Sequence, residues 1–384
     1  MSRPADRVRA ATAPAAPAPT GPVPTGPAPT GSVPTAAVPT APQRTVDLPE
    51  APALGSLYRS ALTAAGRGAV VGRLGPRDGA ARRGPVALPD VAYAVRGVRA
   101  DADRLTAYQH LLGEPGTDAL PAGFVHVLAF PVATALMVRD DFPLPLLGLV
   151  HLANRVEQRT ELRLGDVLQV RAWACGLRAH GSGTQVDLVT EVGTDGGIAW
   201  RGVSTYLAKG VRLDARGHDA DDADDDDRAR HSRDAGGGPR PSRDADEAAR
   251  STDDQDRPSP APERPPFEPP APTASWRLPA DTGRRYAAVS GDVNPIHLWA
   301  PAARAFGFHG AIAHGMYTAA RALATVGAAR GESFTWSVEF AAPVVLPATV
   351  AVRVAADGLG AGHRLTLWDP RRGRPHLTGS VTPS

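Results

Sequence analysis

Two stretches of this chain cannot bury a core, and they cut it into two blocks that can. Residues 1–45 are almost all Ala, Pro, Thr and Gly, with Pro-Thr recurring every five residues from Pro19-Thr20 to Pro39-Thr40. Such a segment gains too little apolar burial to offset the entropy of ordering it. It reads as a disordered tail of polyproline-II character, with a docking ligand for a Pro-recognising partner as the functional alternative. Residues 213–273 hold 17 Asp+Glu against nine Arg. Their acidic run, Asp221 to Asp227, lacks the Gly-bent ligand spacing of a calcium loop and reads as a solvated, self-repelling tether. What remains is 46–212 and 274–384, each long enough to close a core of its own.

Composition excludes several classes. The single cysteine, Cys175, rules out an intramolecular disulfide and a Cys-based zinc knuckle. No run approaches the ~20 apolar residues of a spanning helix, and no basic-then-apolar leader follows Met1, so a cytoplasmic protein without a membrane partner is expected. The two blocks together carry a mild positive charge with no dense Lys/Arg stripe, which argues against nucleic acid. It would suit an anionic carrier such as a phosphorylated pantetheine, as would many surfaces.

Within the blocks the pattern is helical segment, then strands. Phe124–Val138 is apolar enough for a buried helix, with Pro131 required near its first turn or at a kink. Residues 147–157, 167–177, 183–193 and 197–208 read as four strands. In the second block Ala313–Ala329 reads as a small-residue helix, followed by strands at Thr335–Phe340, Thr349–Val354, Arg364–Trp368 and His376–Val381. That order predicts α+β with antiparallel sheets rather than alternating βαβ units. The blocks also look duplicated. Tyr108 precedes Gly113-Glu114 by five residues, and Tyr286 precedes Gly291-Asp292 by five; His126 and His314 each open an apolar helix.

The chemistry concentrates in Tyr286–Met316. Asp292, Asn294, Pro295 and His297 fall within six residues, among the turn formers Ser290 and Gly291, which predicts a rigid loop. There a carboxylate and an imidazole five residues apart can converge on one water, as acid–base catalysis of hydration requires. Asn294 and Pro295 would hold that convergence in place. Further on, His314-Gly315 starts the central helix. Its free N–H groups, with no side chain on Gly315, make a cradle for a thioester carbonyl that becomes an enolate. Singly, each of these residues reads more readily as turn chemistry or a cap; together, in this order, they read as a site.

The run Tyr286-x-x-x-Ser290-Gly291-Asp292-x-Asn294-Pro295-Ile296-His297, with Gly307-Phe308 and Ile312-Ala313-His314-Gly315-Met316, resembles the hydratase-2 signature of MaoC-like (R)-specific enoyl-CoA hydratases and dehydratases. Ser337–Phe340 with Pro343-Val344 and Pro347 resembles the strand that follows, and Leu120–Phe124 with His126–Pro131 resembles the degenerate N-terminal half of two-domain members. The resemblance implies a double hotdog: two antiparallel sheets, each wrapped round a central helix, paired as a pseudo-dimer in one chain, with homodimers of double hotdogs possible. It implies reversible hydration of trans-2-enoyl to (3R)-3-hydroxyacyl thioesters of CoA or acyl carrier protein, with no cofactor and no metal. Asp292 and His297 match the catalytic pair and Gly315 the oxyanion donor; Asn294, Ser290 and His314 are supporting residues.

There are departures from the pattern. A Ser common two turns into the central helix is replaced by Ala322-Leu323-Ala324. In the first block Glu114 stands for Asp292, Ala119 for His297 and Val127 for Gly315. The first block is therefore expected to be non-catalytic and to form the acyl-chain tunnel. A hotdog thioesterase, which needs neither His297 nor the Asn-Pro turn, and a non-catalytic acyl-thioester scaffold are the alternatives.

Overall fold

A computed structural model describes residues 40–63, 87–212, 266–358 and 362–384. The expected tail up to residue 39 and the tether from 213 to 265 lie outside the described residues, including the acidic run.

The first block opens with strand β1 (Thr45–Leu48), a helical segment α1 over 54–63, and strand β2 (Ala92–Val98). Helix α2 (Ala102–Leu112) starts at Asp101, whose side chain accepts the Arg104 N–H, and stops at Gly113, which takes a left-handed φ of 76° that few other residues tolerate. Then come α3 (Ala122–Met137) and strands β3 (Leu149–Gln158), β4 (Leu168–His180), β5 (Gly183–Thr194) and β6 (Gly197–Lys209). The second block has β7 (Ala274–Leu278), α4 (Thr282–Ser290), two short helices α5 (Pro295–Leu298) and α6 (Ala300–Ala305), and α7 (Gly315–Val326). Strands β8 (Phe334–Phe340), β9 (Ala348–Ala356), β10 (His363–Asp369) and β11 (Arg374–Pro383) complete it.

The sheet order is β1-β2-β4-β5-β6-β3-β8-β11-β10-β9-β7. Read from its two ends inward, β2-β4-β5-β6-β3 and β7-β9-β10-β11-β8 have the same topology, so the duplication inferred from Tyr108 and Tyr286 is real at the level of the fold. The halves meet where β3 pairs antiparallel with β8, Val156 opposite Trp336. The fold is a double hotdog, with the two expected sheets joined edge to edge into one continuous sheet of eleven strands. All its pairs are antiparallel except β1 with β2.

Each half wraps a central helix. All but two residues of α3 are buried, so it has no polar face to show to water. Pro131 sits at its tenth position rather than in the first turn, inside a helix that continues past it. Helix α7 is narrow at Ala319, Ala320 and Ala322, and a side chain on Gly123 of α3 would press against Ala320 there. Small residues thus let the two central helices approach. Among the described residues no helix is long and apolar enough to cross a membrane.

Two expectations change. In each half a strand and a helix, β2–α2 and β7–α4, precede the expected helix-then-strands pattern. And α3 starts at Ala122, so His126 lies in its second turn and does not open it. Counted from the helix starts, Pro121 and Ala122 occupy the places of His314 and Gly315; neither His126 nor Val127 does.

Candidate active site

Helix α4 ends at Gly291, whose φ of 75° matches that of Gly113, and the chain turns there to present Asp292. Ser290 helps shape the turn: its hydroxyl accepts the Asp292 N–H at 3.1 Å. Asn294 then caps α5, accepting the Ile296 N–H at 3.4 Å, with Pro295 at the first helical position. His297 therefore stands on a one-turn helix, where the sequence pattern had suggested loop. The reason is that Asn-Pro is as good a helix start as it is a turn.

The imidazoles are held by backbone carbonyls. His297 Nδ1 lies 2.9 Å from the Ile312 oxygen, and since a carbonyl only accepts, Nδ1 carries the proton and Nε2 is left as the base. His314 Nε2 donates in the same way to the Asp292 backbone oxygen at 3.1 Å, and lies 3.7 Å from Asp292 Oδ2. The two rings stack with centroids 3.7 Å apart. His314 is at the head of α7 but makes no cap bond, so it braces the Asp292 turn instead of the helix. Donor atoms of Asp292, His297 and His314 fall within 4.8 Å of one another. With His297 Nε2 free, that spacing lets the imidazole and the carboxylate reach one water.

These groups open into a cavity of about 210 Å³ lined from both halves. Gly315, the first residue of α7, lies against the Phe340 ring, where a side chain would sit 2.9 Å from Phe340 Cε1. Thr318, one turn further, lines the cavity and returns its hydroxyl to the Gly315 oxygen at 2.8 Å.

A MaoC-like domain model matches residues 258–366. The 3-hydroxyacyl-thioester dehydratase X of Mycobacterium tuberculosis is 34% identical over 294 residues, covering 77% of this chain and 90% of that protein. The chain belongs to the MaoC-like dehydratase family. A crystal structure of HtdX from the same organism superposes with a TM-score of 0.59 at 31% identity, over 76% of this chain and all of the other. A MaoC-like dehydratase from Phytophthora capsici shares the fold, with a TM-score of 0.52 at 20% identity over 76% of this chain and 95% of the other.

The first half of this MaoC-like chain brings more to the site than an apolar wall. Tyr58 of α1 donates to Asp292 Oδ1 at 2.8 Å. Arg104 of α2 clasps the end of α4, Nε to the Val289 oxygen at 2.6 Å and Nη2 to the Ser290 oxygen at 2.9 Å. His126, His151 and Tyr206 also line the cavity, with the His151 and Tyr206 rings stacked 4.6 Å apart. None of these belongs to the motif. The one signal available was that His126 and His151 fall in otherwise apolar runs. Glu114, the first-half counterpart of Asp292, is turned to structure: it is buried and paired with Arg330 at 3.0 Å.

Burial sets the protonation states. Desolvation pushes His314 down to about 3, His151 to about 3 and His126 to about 4, so all three are neutral at pH 7. His297 is also lowered by burial, against the pull of Asp292. For Asp292 burial alone would raise the pKa. The neighbouring imidazoles, which gain charge as the pH falls, together with the Tyr58 hydroxyl and the Asn294 N–H that donate to the carboxylate, outweigh it, and the carboxyl stays ionised below the ordinary carboxylate range. The pair is thus a carboxylate beside a neutral imidazole with a free Nε2.

Proposed function

We propose that the chain adds water reversibly across trans-2-enoyl thioesters to give (3R)-3-hydroxyacyl thioesters, with Asp292 and His297 as the catalytic pair. As a MaoC-like dehydratase it is a hydro-lyase; the residues, the stereochemistry and the carrier are the parts proposed. The observation that carries the reading is the free His297 Nε2, fixed by Nδ1 on the Ile312 oxygen, beside an ionised Asp292 at the head of α7.

In the hydration direction Asp292 and Nε2 hold one water. Nε2 takes a proton as the oxygen bonds to C3, and the electron pair of the C2–C3 double bond moves to the thioester oxygen. The Gly315 N–H, at a helix start where backbone donors are unpaired, stabilises that enolate. The imidazolium then returns the proton to C2, and the sum is addition of H₂O. Asn294 and Ser290 fix the geometry, and His314 holds the Asp292 backbone while staying neutral. The catalytic unit is 274–384, with 46–212 as its non-catalytic partner and 213–273 as the tether between them. CoA or acyl carrier protein carries the acyl group.

The test is direct. Purified protein with crotonyl-CoA and longer enoyl-CoA thioesters should bleach the conjugated enoyl absorbance, and chiral analysis should return the 3R alcohol. A 3S product, or hydrolysis to free CoA without hydration, contradicts the reading.

A further inference from the structure

Asp292 has two carboxylate oxygens, and the protein treats them differently. Oδ1 accepts two hydrogen bonds, from the Tyr58 hydroxyl at 2.8 Å and from the Asn294 N–H at 3.2 Å. Its lone pairs are then spent. Among the described residues Oδ2 has only His314 Nε2 at 3.7 Å, a nitrogen already donating to the Asp292 backbone oxygen. The free acceptor capacity of the carboxylate is therefore on Oδ2.

The donor that makes this asymmetry stands ahead of the matched elements of the first half. Helix α1 precedes β2, and the elements that match between the halves run from β2 and from β7 onward. Helix α1 is fastened to the site at two points. Leu54, buried, has its Cδ1 3.4 Å from where a Gly291 side chain would begin, and Tyr58, 4% exposed, reaches the carboxyl one residue later. Strand β1, paired in parallel with β2 at Thr45↔Ala92, anchors the chain on the way in. The contrast with the first half is informative. There the equivalent carboxyl, Glu114, is met across the halves by the Arg330 guanidinium, with both of its oxygens engaged. Asp292 is met across the halves by a neutral hydroxyl, which occupies one oxygen and leaves the charge uncancelled. One carboxyl is neutralised for structure; the other is oriented for use.

We propose that Tyr58 is a positioning residue of this active site: by tying Oδ1 it fixes the carboxylate rotamer and turns Oδ2 to the water. This rests on the function proposed above. A short charge-assisted bond of this kind also favours the ionised carboxyl. The other titratable groups facing Asp292 are His314 at the head of α7, His297 on α5, Tyr286 on α4, His126 on α3, His151 on β3 and Tyr206 on β6. The histidines among them are held down and the tyrosines up, by burial first, so none is charged at neutral pH and Tyr58 stands out as a donor.

The experiment is Tyr58→Phe in the full chain, which keeps the ring and removes the hydroxyl. Steady-state hydration should show kcat lowered about 10- to 100-fold with KM within about threefold, because a carboxylate that no longer aims the attacking water slows chemistry more than binding. The acid limb of kcat/KM should move up by about one pH unit, since the bond removed favoured the charged form. Placing 3-fluorotyrosine at position 58 strengthens the donor without changing the shape, and should move the limb the other way; this second variant also decides the matter if Tyr58→Phe does not fold. A carbon-13 titration of the Asp292 carboxyl, assigned with Asp292→Asn, should show the same two displacements. Wild-type hydration without any change in limb, carboxyl titration or kcat in the variants overturns the proposal. If the wild type hydrates nothing, the function proposed above fails, and the carboxyl titration still decides whether Tyr58 governs Asp292.

Discussion

Gly315→Ala is the substitution whose effect the structure fixes most tightly. Glycine has no forced conformation here: Gly315 is the first residue of a helix, where alanine is also accommodated by the backbone. The only objection is Phe340. A Cβ at position 315 would lie 2.9, 3.0 and 3.2 Å from three atoms of that ring, where carbon–carbon contacts normally settle at about 3.5–4.0 Å. Either the ring or the helix start must give by roughly half an ångström. Phe340 is backed by His151, with ring centroids 5.0 Å apart, so much of the strain falls on α7. Overpacking of this size costs about 1–3 kcal/mol, so the melting temperature should fall only a few degrees. The rate should fall far more. Moving the Gly315 N–H off the enolate oxygen removes an oxyanion donor, a loss of about 10²–10³ in kcat. The assay is hydration of an enoyl-CoA by Gly315→Ala and by the double mutant Gly315→Ala/Phe340→Leu, which makes room for the methyl group. Recovery of at least ten-fold in the double mutant is expected. Wild-type kcat in the single mutant, or a folded double mutant with no recovery, would refute the assignment of Gly315 as the donor.

Glu114→Gln should leave turnover per folded molecule nearly unchanged, because Glu114 faces Arg330 rather than the cavity, yet cost roughly 1–3 kcal/mol in denaturant unfolding by leaving a mostly buried guanidinium without its charge partner. Arg104→Met should lower both stability and kcat, since two backbone oxygens at the end of α4 lose their donors next to Asp292; unchanged kcat would show that the clasp is not transmitted to the site. Stability should also depend on pH through three buried histidines. His126, His151 and His314 have folded-state values near 4, 3 and 3, below the unfolded value of about 6.5. The unfolded chain therefore binds more protons below pH 6.5, and stability is full above that pH. It falls by about 1.4 kcal/mol per pH unit for each histidine as pH drops toward 4. Thermal unfolding from pH 8 to pH 5 should show a plateau and then a steep fall below pH 6; a flat curve would mean that these imidazoles are not buried neutral.

The elements that the sequence makes legible are those with strong apolar bias: α3, α7 and the eight strands β3–β6 and β8–β11, each within a few residues of its expected bounds. β7 (Ala274–Leu278) was hidden because it has only five residues, with Arg277 exposed, and β2 (Ala92–Val98) because Arg96-Gly97 breaks its apolar run where the ladder itself shifts register. α4 was hidden because its last residues, Val289-Ser290-Gly291, read as turn, and Gly291 is in fact its left-handed stop. The pairing of His126 with His314 was misleading because the apolar run starting at Phe124 hides the true helix start at Ala122, which puts His126 in the second turn. Within the site, Asp292, Asn294, His297 and Gly315 are local in sequence, so a motif can display them. Tyr58 and Arg104 act on residues 234 and 185 positions away, and only the pairing of the two halves brings them there.

The central claim is that Asp292 and His297 act as one unit on one water. The measurement is kcat for enoyl-CoA hydration by Asp292→Asn, His297→Gln and the double mutant, with folding checked by circular dichroism. Asp292→Asn keeps the size of the side chain and removes its charge; His297→Gln keeps polarity and removes the titratable nitrogen. Each single change should lower kcat by about 10²–10⁴-fold, the usual contribution of a positioned acid or base. The double mutant should be little worse than the worse single, because groups that act together are not additive. Hydration retained in Asp292→Asn contradicts the claim outright, and losses that multiply in the double mutant contradict the joint action of the pair.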